Sequence, residues 1–138
     1  MVNIAIIGAG LSGLTAANIL NAHAKVTVFD KAKGPSGRLA TRRAEPYNFD
    51  HGCQFFSAKS NAFKEFLAPM LRHGVIKYWN TNFVEIENRQ VTKSRQWDAQ
   101  SRHYVGSPSM NAIGKFLSQN LHLRLGTPVT AIRKTPAG

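Results

Sequence analysis

The chain has 138 residues, 43% of them hydrophobic, which suits one domain with a modest core. Its net charge of +11 comes from 18 lysines and arginines against 7 acids. The bases are spread along the chain, denser at Lys31 to Arg43 and Arg89 to Arg102, with no sustained run and no nucleic-acid motif, which argues against a nucleic-acid partner. The surplus also fits a chain whose acidic remainder lies elsewhere. The single cysteine, Cys53, excludes an internal disulfide framework, and no stretch approaches the roughly 20 apolar residues of a membrane span, so a cytoplasmic chain is expected.

The first predicted elements are the most informative. Ile4-Ala5-Ile6-Ile7 is a short apolar run rich in β-branched residues, and it reads as a fully buried strand of a parallel sheet. Gly8-Ala9-Gly10-Leu11-Ser12-Gly13 follows at once, a G-x-G-x-x-G. Leu14 to Ala22 then reads as a helix, and Val26 to Phe29 as a second strand ending on Asp30, 20 residues past Gly10. Each glycine has a physical role. Gly8 permits the tight turn, Gly10 the close approach of a pyrophosphate, and Gly13 the close packing of helix on sheet. The N–H groups of the first helical turn and the positive end of its dipole would hold the phosphates, and Asp30 is placed for a ribose hydroxyl. Strand, loop, helix and acid together predict a dinucleotide-binding βαβ unit.

Lys31 to Arg43 is rich in glycine, proline, serine and bases and reads as a loop, its cations placed where phosphates would be. Tyr47 to Phe56 mixes aromatic residues with Asp50, His51 and Cys53; His51 and Cys53 lack a second spaced pair, so no metal site is expected. Ser60 to Arg72 predicts a helix with Phe63, Phe66, Leu67, Met70 and Leu71 on one apolar face, ended or kinked by Pro69 and stopped by Gly74. Short strands are expected at Lys77 to Trp79, Phe83 to Ile86 and His103 to Val105, and polar Asn88 to Arg102 as a loop. Ser107-Pro108 suggests the cap and first position of a helix running to about Asn120, with Met110, Ile113, Leu117 and Leu121 inside. Leu121 to Leu125 alternates as a strand, and Val129 to Lys134 as another. Thr135 to Gly138 are turn formers after a strand without a partner, and the chain reads as cut there.

No G-x-S-x-G, G-x-x-x-x-G-K-[ST] or H-E-x-x-H motif is present, so any chemistry must be carried by a cofactor.

The blocks IAIIGAGLSGL, FDKAKGPSGRLATRR, FDHGCQFF, YVGSPSMNAIGKFL and VTAI stand in that order over nearly the whole chain, with Val75 to Arg102 the least matched. In them the sequence resembles the N-terminal part of FAD-dependent amine-oxidase-like flavoproteins, and among these the bacterial renalase-like proteins. The resemblance implies FAD as cofactor. It implies that Gly8, Ala9, Gly10, Leu11, Ser12 and Gly13 line the pyrophosphate, that Asp30 with Lys31 beside it meets the adenosine ribose, and that Val129 meets the adenine through its backbone. Ser36-Gly37-Arg38 stands where the family has Gly-Gly-Arg, so Ser36 departs from the pattern. Gly37, Arg38 and Leu39 would follow the pyrophosphate toward the ribityl chain, and the Asp50 to Phe56 block, with Gln54, would lie near the flavin ring.

The implied fold class is α/β: a Rossmann-like βαβ FAD-binding domain, its parallel sheet flanked by helices, with a partial α+β substrate-domain insertion. The nucleotide domain takes 1–56 and 106–138 and is incomplete at its C-terminus, and 57–105 forms a partial substrate or cap segment. The expected activity is hydride transfer to flavin from a small-molecule substrate, an amine or a dihydronicotinamide, without metal or membrane, and with a homodimer as one way to complete the site. No catalytic residue is named, because family members are longer and the second half of the expected site is absent from this chain. The rival is a non-catalytic module that binds FAD or NAD(P); Lys31 beside Asp30 would suit a nicotinamide cofactor's 2′-phosphate, whereas Gly37-Arg38 argues for FAD.

Overall fold

The computed structural model describes residues 1–96 and 102–134. Its first body is a parallel three-stranded sheet, β1 (Asn3–Ile7), β2 (Lys25–Phe29) and β10 (His122–Arg124), in the order β1-β2-β10. Asn3 pairs with Lys25 and Ile7 with Phe29, while His122 pairs with Thr27 on the other side of β2. A helix, α1 (Leu11–Leu20), crosses between β1 and β2 and packs its Leu14 and Ala17 on one face of the sheet. Ala9, Leu14, Ala17, Ala24, Val26 and Val28 form the buried cluster, with Ile4, Ile6, Leu20, Leu123 and Leu125 around it. Val26 and Val28, on the face of β2 that joins the cluster with Leu14 and Ala17 of α1, are 3% and 0% exposed.

β1 corrects the expectation of a fully buried strand. Only Ile4 and Ile6 turn toward α1; Asn3, Ala5 and Ile7 are exposed, Ile7 by 55%. The apolar run is continuous, yet one face and one edge of the strand meet nothing among the described residues.

The second body is built on α2 (Asn61–Arg72) and the sheet β5 (Phe56–Ser57), β9 (His103–Gly106), β6 (Ile76–Tyr78), antiparallel in the order β5-β9-β6. The Ser60 hydroxyl caps α2 by accepting from the Phe63 N–H at 3.2 Å. Its apolar stripe faces inward as the spacing predicts, with Leu67 and Met70 fully buried. Pro69 does not end the helix. It falls in the last turn, where one lost N–H costs little further ladder, and the chain leaves the helix at Gly74, whose φ is +67. The core of this body joins Leu67, Met70, Ile76 and Tyr104 to Leu39, Met110 and Ile113 from the flanking segments.

Three further elements differ from the sequence reading. Thr41–Ala44, which begins inside the expected loop, and Tyr47–Asp50, for which no element was expected, pair as the hairpin β3–β4. Gln90–Gln96, read as loop, is β8, paired antiparallel with β7 (Asn82–Glu87) across a turn whose Asn88 and Arg89 have φ of 49 and 65. Every residue of β8 is exposed, so no alternation marked it. The helix expected from Ser107 is shorter: α3 runs Asn111–Leu117, with Met110 and Ile113 buried and Leu117 and Leu121 half-buried. Its start is set by Asp50, whose carboxylate accepts the Met110 N–H at 3.1 Å. Val129 to Lys134 forms no strand, having no neighbouring strand to pair with among the described residues. Trp97 and Thr135 to Gly138 lie outside the described residues.

Candidate functional site: a dinucleotide cleft at the strand ends

The site lies at the carboxyl ends of β1 and β2, where α1 begins. Gly8 turns the chain out of β1 with φ +106, and its N–H donates to the Phe29 carbonyl at 2.7 Å. A Cβ on Gly13 would collide with the Gly8 carbonyl oxygen, so helix and loop approach more closely than any side chain permits. Gly10 differs: a Cβ there would meet only the Gly37 Cα, at 3.8 Å. The protein itself would tolerate that methyl, so the space beside Gly10 is left for something else. Gly10 brings no side chain to cap α1, and its first turn contains no acid, so the chain supplies no anion of its own to that helix end.

Asp30 stands between loop and strand end. One carboxylate oxygen accepts the Ala9 N–H at 2.6 Å and the other the Ala32 N–H at 2.7 Å, so the acid braces the glycine loop. Each oxygen has a second lone pair for a ligand hydroxyl. Asp30 also shares a cleft of about 210 Å³ with Ile7, Gly8, Phe29, Lys31, Thr127, Pro128 and Val129. Val129 reaches this cleft through β10: the Thr127 N–H donates to the Asp30 carbonyl at 2.8 Å and the Gly126 N–H to the Ala32 carbonyl at 2.9 Å. Residues nearly 100 positions apart in sequence thus meet at one opening.

Residues 6–69 match the family model of the NAD(P)-binding Rossmann-like domain. The fold is Rossmann-like. Solved structures similar to the chain include a redesigned double variant of putrescine oxidase, at 25% identity over 72% of this chain and 22% of that one, TM-score 0.48. They also include the wild-type putrescine oxidase bound to putrescine, at 23% identity over 72% of this chain and 23% of that one, TM-score 0.46. The chain spans less than a quarter of the length of these structures.

In this Rossmann-like domain the second glycine block is folded onto the first. The Ser36 N–H donates to the Ala9 carbonyl at 2.9 Å, forming a parallel bridge between Gly10 and Ser36, and a Cβ on Gly37 would come within 2.9 Å of the Gly10 Cα. Gly37–Leu39 make one 3₁₀ turn that leaves Arg38 exposed and Leu39 buried in the second core cluster. The Arg38 carbonyl accepts the Cys53 N–H at 3.0 Å, and a Cβ on Gly52 would collide with that same carbonyl. Gln54 follows this contact by one residue and is exposed.

Two residues named in the sequence take structural roles that the sequence reading did not assign to them. Ser36 is 3% exposed with φ +143, a region that favours glycine; its hydroxyl donates to the Asn111 carbonyl at 3.1 Å and its side chain abuts Gly114. Asp50 accepts the Thr41 hydroxyl at 2.6 Å as well as the Met110 N–H, and Thr41 Oγ1 accepts the Asn111 N–H at 3.2 Å. Together they latch α3 to the loop region. The Ser-for-Gly departure signalled the first; nothing in the spacing signalled the second. Among the described residues there is no cluster of metal-ligating side chains, and no helix is long and apolar enough to cross a membrane.

Proposed function

We propose that this chain is the FAD-binding portion of a flavin oxidoreductase, acting on an amine or a dihydronicotinamide in the manner of the renalase-like proteins its sequence blocks resemble. The observation that carries the reading is the seating of the Ser36–Leu39 turn on Gly10. It extends the phosphate loop into a second turn bearing Arg38, so that one strip runs from the Asp30–Val129 cleft across the glycine loop to Gly52 and Gln54. The fit is supported by the space left at Gly10 and by a helix end without an acid of its own.

In this reading Gly8, Ala9, Gly10, Leu11, Ser12 and Gly13 hold the pyrophosphate, Asp30 and Lys31 the adenosine ribose, and Val129 the adenine. Gly37, Arg38 and Leu39 continue along the ribityl side, and Gln54 lies toward the ring. FAD, when bound, would supply the hydride acceptor, and the chain's residues would bind and orient it. The nucleotide domain is assigned to 1–56 and 106–138, and a partial substrate segment to 57–105.

The visible absorption spectrum after incubation with FAD and desalting tests the reading. A retained flavin band supports it, and its bleaching by putrescine, which one similar structure binds, or by a dihydronicotinamide would name the substrate class. A colourless protein that is folded by circular dichroism counts against it. One observation favours a second reading, a non-catalytic module for a nicotinamide dinucleotide: Lys31 lines the same cleft as Asp30 and could meet a 2′-phosphate. Titration of FAD, NAD and NADP against tryptophan fluorescence separates the two, with tighter NADP than FAD as the result that would replace the first reading.

A further inference from the structure

At the centre of α3 stands a glycine, Gly114. Glycine is a poor helix former, so its place inside a short helix calls for a local reason. Ser36 supplies it. A Cβ on Gly114 would collide with the Ser36 hydroxyl oxygen and would lie 2.8 Å from the Ser36 Cα and 3.0 Å from its Cβ. The space of the absent methyl is the space that buried Ser36 enters.

The two sides of this contact are unequally held. α3 is tied at both ends: the Asp50 carboxylate accepts the Met110 N–H at 3.1 Å, and the Asn18 amide donates to the Leu117 carbonyl at 2.7 Å. Between these ties Ile113 is buried in the second core cluster. Ser36 has its N–H on the Ala9 carbonyl at 2.9 Å and its hydroxyl on the Asn111 carbonyl at 3.1 Å, at a φ of +143 that serine rarely adopts. A methyl on Gly114 is therefore relieved by movement of Ser36. The residue that moves with it is Gly37, which is packed on Gly10.

We propose that Gly114 is a positioning residue of the dinucleotide site: the side chain it lacks seats Ser36, and Ser36 sets the Gly37–Arg38 turn on Gly10. Gly114 acts from α3, more than 100 positions beyond Gly10 in sequence, and it acts through Ser36. Ser36 and Gly114 form a matched pair, the hydroxymethyl group present at one filling the room left at the other. The consequence for affinity rests on the reading that this turn follows the pyrophosphate; the consequence for the turn itself does not.

The test compares Gly114→Ala, Ser36→Gly and the double variant in the full chain. The readouts are amide hydrogen exchange without ligand and FAD affinity by fluorescence titration. The amides of residues 36, 39 and 40, which donate to the Ala9, Ser36 and Gly37 carbonyls, report the turn, and the β2 amides report global opening. Gly114→Ala should speed exchange in the turn roughly tenfold with β2 unchanged, and weaken FAD binding by a similar factor. The double variant lacks the colliding hydroxymethyl group and the strain at position 36, so only a Cα must yield. It should return to within about threefold of Ser36→Gly in both readouts. If Gly114→Ala does not fold, recovery of the folded circular-dichroism spectrum in the double variant is the equivalent result. Unchanged turn exchange in Gly114→Ala, exchange that rises equally in β2, a loosened turn with undiminished FAD affinity, or a double variant no better than Gly114→Ala would each overturn the proposal. A parent chain that binds neither FAD nor NAD(P) would remove the dinucleotide reading alone, because exchange in the ligand-free chain still decides whether Gly114 sets the turn.

Discussion

Gly10 and Gly13 lie three residues apart in one motif, and alanine at each should fail in opposite ways. At Gly13 the new Cβ meets backbone, the Gly8 carbonyl, which cannot swing aside as a side chain would. Forcing helix and loop apart costs about 1–3 kcal/mol, against about 1 kcal/mol gained from replacing glycine inside a helix. Gly13→Ala should therefore lower stability by up to about 2 kcal/mol. At Gly10 the backbone, φ −80 and ψ 178, already suits an L-residue, and the Cβ meets only Gly37 Cα at an ordinary 3.8 Å. The cost of alanine at the helix cap, about 1 kcal/mol, is offset by about 0.4–1 kcal/mol from stiffening the unfolded chain. Gly10→Ala should thus unfold within about 0.5 kcal/mol of the parent in urea while losing dinucleotide affinity at least tenfold, about 1.4 kcal/mol, by fluorescence titration. If Gly10→Ala binds FAD and NAD as the parent does, the space at Gly10 is not a ligand path and the assignment of the loop fails.

Ser36 gives a second test of local physics. Ser36→Ala keeps the positive φ and loses the hydrogen bond to Asn111, whereas Ser36→Gly loses the same bond but sheds about 1–3 kcal/mol of backbone strain, so the glycine variant should be the more stable of the two in urea. Asp50→Ala removes the acceptor for Thr41 and Met110 and should cost about 2–3 kcal/mol by the same assay, with Asp50→Asn, which keeps an acceptor, costing less. Burial, and then the neighbouring Tyr78, raise the Tyr104 phenol above its ordinary 10.0. The folded chain then holds that proton more tightly than the unfolded one, so stability is unaffected below about pH 10 and falls as pH rises through the folded value. Tyr104→Phe should flatten this alkaline limb in thermal melts between pH 9 and pH 12.

The sequence alone settles what lies within short distances along the chain. The turn at Gly8, the close approach at Gly13 and the inward stripe of α2 are each set by residues a few positions apart, and each stands where spacing predicted. Tertiary structure decided what depends on a remote neighbour. Asp50, 60 residues before Met110, placed the start of α3 where Ser107-Pro108 had suggested an earlier one. The uniformly exposed β8 became a strand only by pairing with β7, since neither of its faces is buried to leave a pattern. Val129 to Lys134 had the composition of a strand and no ladder to join. β1 had the composition of a buried strand, and its burial was settled by which sides of it have neighbours. Hydrophobicity states what a segment can bury; only the fold states whether anything is there to bury it against.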